Sequence, residues 1–104
     1  MTTIYEVTLQ IDSDIAAEYD DWLAVHDAEM LALPGFLSAE ISTIESAEER
    51  PARVGRVVHY RLESREALDD YFRDHAARMR DEGIARFDER VGASRRILHP
   101  HRQQ

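Results

Sequence analysis

Cysteine, lysine and asparagine are absent from this 104-residue chain, proline and glycine number three and four, and there is one tryptophan. Each absence removes some chemistry. Without cysteine there is no disulfide, thiolate nucleophile or cysteine-ligated metal, and thiol usage says nothing about compartment. Without lysine there is no Schiff-base nucleophile and no phosphate-loop lysine. No GxSxG, glycine-rich phosphate loop, dinucleotide fingerprint or HExxH occurs, so no metal is expected and no cofactor is implied. The opening MTTIYEV lacks a basic region followed by an apolar run, and no window is apolar for long enough to cross a bilayer. A soluble cytoplasmic protein is the expectation. Acids outnumber bases 21 to 13, for a net charge of -8 and a pI near 5.0. A negative field disfavours nucleic acid and anionic membrane as partners.

A chain of this length is expected to form one domain over residues 1–98, burying roughly two thirds of the surface that it exposes when unfolded. Thr3 to Ile11 alternates, with Tyr5, Val7, Leu9 and Ile11 on one side and Glu6, Thr8 and Gln10 on the other, which predicts a half-buried strand. Asp12, Ser13 and Asp14 offer capping oxygens to a helix start. Ile15, Tyr19, Trp22, Leu23, His26, Met30 and Leu33 then recur at helical spacing, while Glu18, Asp20, Asp21, Asp27 and Glu29 are assigned to the wet face. Pro34 and Gly35 stop the helix. Phe36 to Glu45 and Arg53 to Glu63 alternate again across a polar loop, predicting an antiparallel hairpin in which Arg56 intrudes on the apolar side. Ser64 is placed to cap a second helix with Leu68, Tyr71 or Phe72, His75, Ala76 and Met79 on its stripe. Gly83 reads as a break before a short helical piece. Val91 to Leu98 is the last strand, and 99–104 reads as a disordered tail.

The order β-α-β-β-α-β defines an α+β, ferredoxin-like fold, a four-stranded antiparallel sheet with both helices on one face. The other face must meet water or a partner. It is expected to carry Glu6, Glu40, His59 and Arg61, with Glu6, Glu40 and Arg61 near enough to pair across strands, and Arg95 or Arg96 beside them according to register.

The run Leu33-Pro34-Gly35-Phe36, a hairpin, and then YRLESREAL resembles the dimeric α/β-barrel superfamily, which includes antibiotic-biosynthesis monooxygenases, EthD-like proteins and haem-degrading proteins. The phrases YEVTLQID, WLAVHDAEMLALPGFLSAE and SRRIL look like a bacterial family in that superfamily catalogued as a domain of unknown function. The resemblance spans Thr3 to Leu98 and implies a homodimer with its sheets face to face, binding small molecules between sheet and helices. Haem-degrading relatives use an asparagine on the first strand, a tryptophan near the third and an axial histidine on the second helix. This chain has no asparagine, its Trp22 is on the first helix, and only His75 fits.

His26 and His75 sit on stripes expected to face inward, and near neutral pH a histidine serves as acid or base. They are the candidate catalytic residues, with Trp22, Tyr5, Tyr60, Tyr71 and Phe72 as the candidate ligand pocket. The same residues also fit a packed core holding two hydrogen-bonded histidines. Two functions stay open: a small-molecule-binding homodimer, as a cofactor-independent oxygenase or isomerase, or a non-catalytic homodimeric interaction module using the uncovered sheet face.

Overall fold

The computed structural model of the protein describes residues 1–103. Its sheet is built from β1 (Thr3–Asp12), β2 (Phe36–Ile44), β3 (Arg53–Leu62) and β4 (Val91–Leu98) in the order β2-β3-β1-β4, every neighbouring pair antiparallel. The helices are α1 (Ala16–Leu31), α2 (Arg65–Asp74) and α3 (Ala76–Phe87), giving the expected α+β ferredoxin-like fold. Alternation in β1 holds to its end: Tyr5, Val7, Leu9 and Ile11 enter the core with Val58, Tyr60 and Leu62 from β3. Tyr19, Leu23 and Met30 of α1 close over them, together with Leu68, Tyr71, Met79 and Phe87 from α2 and α3. Each fully buried apolar side chain of this size contributes roughly 1.5–3 kcal/mol.

The Pro34-Gly35 stop serves three elements at once. The amides of Ala32 and Leu33 still donate to the carbonyls of Glu29 and Met30, and the chain then turns through Gly35 at φ 84°. A Cβ at Gly35 would stand 2.6 Å from the Cβ of Ala67, so glycine is required both by its dihedral and by the approach of α2. The Gly35 carbonyl also accepts from the amide of Glu63 at 2.9 Å, tying the turn to the end of β3.

Several local expectations are corrected. Asp12, Ser13 and Asp14 do not cap α1. Asp12 takes Arg53, the Ser13 hydroxyl donates to the Pro51 carbonyl, and a 3-10 turn over Ser13–Ile15 leads into the helix. Ser64 does cap α2, its Oγ accepting from the Ala67 amide at 3.0 Å. The helical break falls at His75, whose φ of -133° leaves the helix, and not at Gly83. Gly83 lies inside α3 because Trp22 rests on it: a Cβ there would meet the indole at 3.0 Å. The hairpin carries a bulge between Phe36 and Ser38 that leaves Leu37 unpaired and exposed. Arg56 stays on the helix side of β3 by forming a two-bond pair with Asp20 of α1, both at 3.1 Å. Residues 99–103 carry no regular structure and are exposed, and Gln104, the end of the expected tail, lies outside the described residues.

Candidate functional site

Between the sheet and the helices is a cavity of about 120 Å³. Tyr5, Val7 and Leu9 of β1 and Val58 and Tyr60 of β3 form its floor, with Trp22, His26 and Met30 of α1 on one wall and Tyr71, Met79 and Gly83 on the other. Its mouth is marked by the exposed residues Arg80, Ile84, Asp88 and Arg95. A cavity of roughly 150 Å³ holds a benzene ring, so this space is of single-ring size before any side chain moves.

The aromatic walls are ordered by contact with one another. His26 stacks on Trp22 with ring centroids 4.6 Å apart and planes 18° apart, one helical turn separating the two side chains. Tyr5 lies 6.0 Å from both Tyr60 and Tyr71. Phe72 packs edge-on against Tyr5 at 5.3 Å but does not line the cavity.

Beside the cavity, Asp27 is 5% exposed, and its Oδ1 accepts from the Tyr60 hydroxyl at 2.5 Å while Oδ2 has no partner. Burial pushes its carboxyl up to about 6, against the opposing effect of the Tyr60 hydrogen bond. Burial, and then the Asp27 carboxylate, drive the Tyr60 hydroxyl well above its usual value. His26 moves the other way, lowered chiefly by burial, and its Nδ1 is also without a partner. The site therefore holds a neutral imidazole next to a carboxyl group poised near neutrality, on the same helix.

Asp27 escapes the sequence reading because its acidity assigns it to the wet face. Its spacing says otherwise: Tyr19, Leu23, Asp27 and Met30 are the buried residues of α1, at intervals of four, four and three. A tyrosine at an inward position of a central strand is the partner that makes such burial tolerable.

The other candidate histidine is elsewhere. His75 occupies the joint between α2 and α3, where its Nδ1 accepts from Arg78 at 3.2 Å, and it does not line the cavity. Of the expected set, then, His26, Trp22, Tyr5, Tyr60 and Tyr71 are brought together, and His75 and Phe72 are not. Among the described residues no three His, Asp or Glu side chains are grouped so as to hold a metal ion.

On the uncovered face, register places Glu6 between His59 and Arg96. Glu6 Oε2 lies 2.7 Å from His59 Nε2, and Oε1 accepts from Arg96 Nε, also at 2.7 Å. The expected pairing of Arg61 with Glu6 and Glu40 is not formed. Arg61 lies opposite Ile4 and Ser38 and donates to the Thr2 hydroxyl. The Arg96 guanidinium, then the His59 ring, hold the Glu6 carboxyl below its usual range. Arg95 points to the other side of the strand, at the cavity mouth.

Residues 2–101 match the model of the family described as Domain of unknown function (DUF4286). The chain belongs to that family. No curated protein matches it. Its fold is shared with solved structures at low identity. An EthD family protein from Bacillus halodurans aligns at TM-score 0.71 and 12% identity, over 97% of this chain and 100% of that one. A Deinococcus radiodurans protein put forward as an antibiotic biosynthesis monooxygenase aligns at TM-score 0.70 and 13% identity, over 98% and 95%. SnoaB, a cofactor-independent oxygenase from Streptomyces nogalater, aligns at TM-score 0.67 and 12% identity, over 99% and 97%. The DUF4286 chain thus has the antibiotic-biosynthesis-monooxygenase and EthD type of fold.

Proposed function

We propose that this protein is a homodimer that binds a small molecule in the cavity between helices and sheet and moves protons on it without a resident cofactor, as an isomerase or a cofactor-independent oxygenase. The observation that carries this reading is His26. Its ring forms part of the cavity wall, it is held by stacking on Trp22, and burial lowers its pKa, so at neutral pH it is an unprotonated acceptor. Removing a proton from a carbon acid would start either reaction. Tyr60, whose hydroxyl donates to Asp27, lines the same cavity. The fold shared with SnoaB, itself a cofactor-independent oxygenase, supports the same class.

His26→Ala tests the reading. Native mass spectrometry of protein purified from its own host should find a retained small molecule in the wild type and at least about tenfold less in the variant, whose Tm stays within about 5 °C. A variant that does not fold would make His26 structural and sink the assignment.

A second reading, a non-catalytic homodimeric module, is favoured by the uncovered sheet face with its Glu6, His59 and Arg96 cluster and nearby Glu40 and Arg61. Both readings place the dimer contact on this face, as an isologous interface. Arg61→Glu adds a carboxylate to a face already carrying Glu6 and Glu40. Sedimentation should shift from dimer towards monomer, and an unchanged profile would rule this face out.

A further inference from the structure

We infer that the cavity is built for a small planar anion, a single aromatic or conjugated ring carrying a carboxylate or enolate oxygen, with the ring between the Trp22 and Tyr71 walls and the oxygen at Arg80 and Arg95. This rests on the ligand-binding reading of the same cavity and names the class of ligand.

The two guanidiniums are the basis. Arg80 projects from α3 and Arg95 from β4, and both reach the mouth of one cavity although they are 15 residues apart in sequence. Neither forms an ion pair among the described residues, whereas six other arginines of this acidic chain do. Arg80 uses one of its donors on the Tyr5 hydroxyl at 3.3 Å, which turns its head towards the cavity floor and leaves the remaining donors open. The one carboxylate lining the cavity, Asp88, bonds to neither. Burial and then Tyr5 push the Tyr71 hydroxyl up to about 12, and burial and then Asp27 do the same for Tyr19; Arg80, Arg95 and Arg78 oppose the first shift and Arg95 the second, so both mouth charges are felt inside. The lining itself carries two guanidiniums against one carboxylate, in a protein of net charge -8, with the Asp27 carboxyl buried behind Tyr60 and outside the lining. Two guanidiniums free of ion pairs at the mouth of one cavity, in so acidic a chain, are the arrangement expected of an anion site.

The walls complete the specification. Trp22 and His26 present one stacked pair, and Tyr71 on the other wall, its ring tilted 53° from that of Tyr5, presents a second aromatic surface in a space of about 120 Å³. A guanidinium binds a planar carboxylate through two parallel bonds. The same charges would stabilise an enolate formed when His26 removes a proton, so recognition and chemistry draw on one feature.

Trp22 is the only tryptophan and lies in the cavity wall, so its fluorescence reports occupancy directly. The wild type is titrated at about pH 8 with benzoate, benzamide and benzylamine, which share a ring and differ in charge. Benzoate should bind at least about tenfold more tightly than benzamide, and benzylamine most weakly. In Arg80→Gln/Arg95→Gln the benzoate preference should fall to near unity with benzamide affinity unchanged. Equal binding of benzoate and benzamide to the wild type, or a preference that survives in the double variant, overturns the anion assignment and leaves the cavity as a neutral-ligand site. Absence of quenching by all three overturns the ligand-binding reading as well. Should the double variant lose its circular dichroism signature, the wild-type comparison and Arg95→Gln alone decide, the latter with an expected loss of about threefold.

Discussion

The two faces of the sheet treat a buried carboxylate in opposite ways. Asp27, over the covered face, is 5% exposed, and Glu6, on the uncovered face, is 7% exposed. By accessibility alone they are equivalent. Yet the Asp27 carboxyl is pushed up to about 6 and the Glu6 carboxyl is held down. Asp27 is surrounded by packed apolar side chains, with one neutral donor and one oxygen left unpaired. Glu6 is hidden only by the two side chains that pair with it, His59 and Arg96, on a face with no second layer. What hides a charge matters more than how well it is hidden. The covered face stores an ionisation cost beside a cavity, and the uncovered face neutralises its charges locally.

The largest way to break the contrast is Asp27→Asn. An asparagine oxygen still accepts from Tyr60, but the group no longer ionises. The Asp27 pKa rises on folding from 3.8 to about 6, so the native state binds the proton more tightly and the penalty is absent below the lower value and fully present above the upper. Two pKa units correspond to about 3 kcal/mol. Unfolding free energies at about pH 4 and pH 8 should therefore show the variant gaining about 2.5 kcal/mol on the wild type between the two conditions, since about 0.5 kcal/mol of the penalty is already present at pH 4. His26 titrates in both proteins and cancels. A difference that does not vary with pH would remove the ionisation cost from Asp27.

Glu6→Gln should do the reverse on the smaller scale of a pair whose cations remain solvated. The Glu6 pKa falls on folding, so its stabilisation is present above the ordinary value of 4.5 and is lost as pH drops through the folded value. The variant should be less stable than the wild type by about 1 kcal/mol at neutral pH and indistinguishable from it in acid. Gain of stability at neutral pH would mean that the two carboxylates are alike after all.

Much of this was legible in the chain. The period-two alternation of β1, the Pro34-Gly35 stop and the Ser64 cap are local signals, and each survives folding because the residues concerned act on their own backbone or on one face. His26, Trp22 and the four lining tyrosines could be assigned to the inward side for the same reason. What failed involves partners distant in sequence. Gly83 reads as a helix breaker until Trp22 is seen resting on it, and His75 reads as a stripe residue until the helix breaks there. Arg61 and Arg96 lie on the same face of the sheet, and only register decides that Arg96 reaches Glu6 while Arg61 reaches Thr2.

The sequence by itself determined the order of elements, the faces of the strands and the residues available to a site, because periodicity and turn chemistry act over a few residues. Only the tertiary structure decided which charge is stranded and which is matched. Tyr60 meets Asp27 from 33 residues away and Arg96 meets Glu6 from 90. A titrating group takes its character from the neighbours that folding brings to it, and short-range patterns do not name those neighbours.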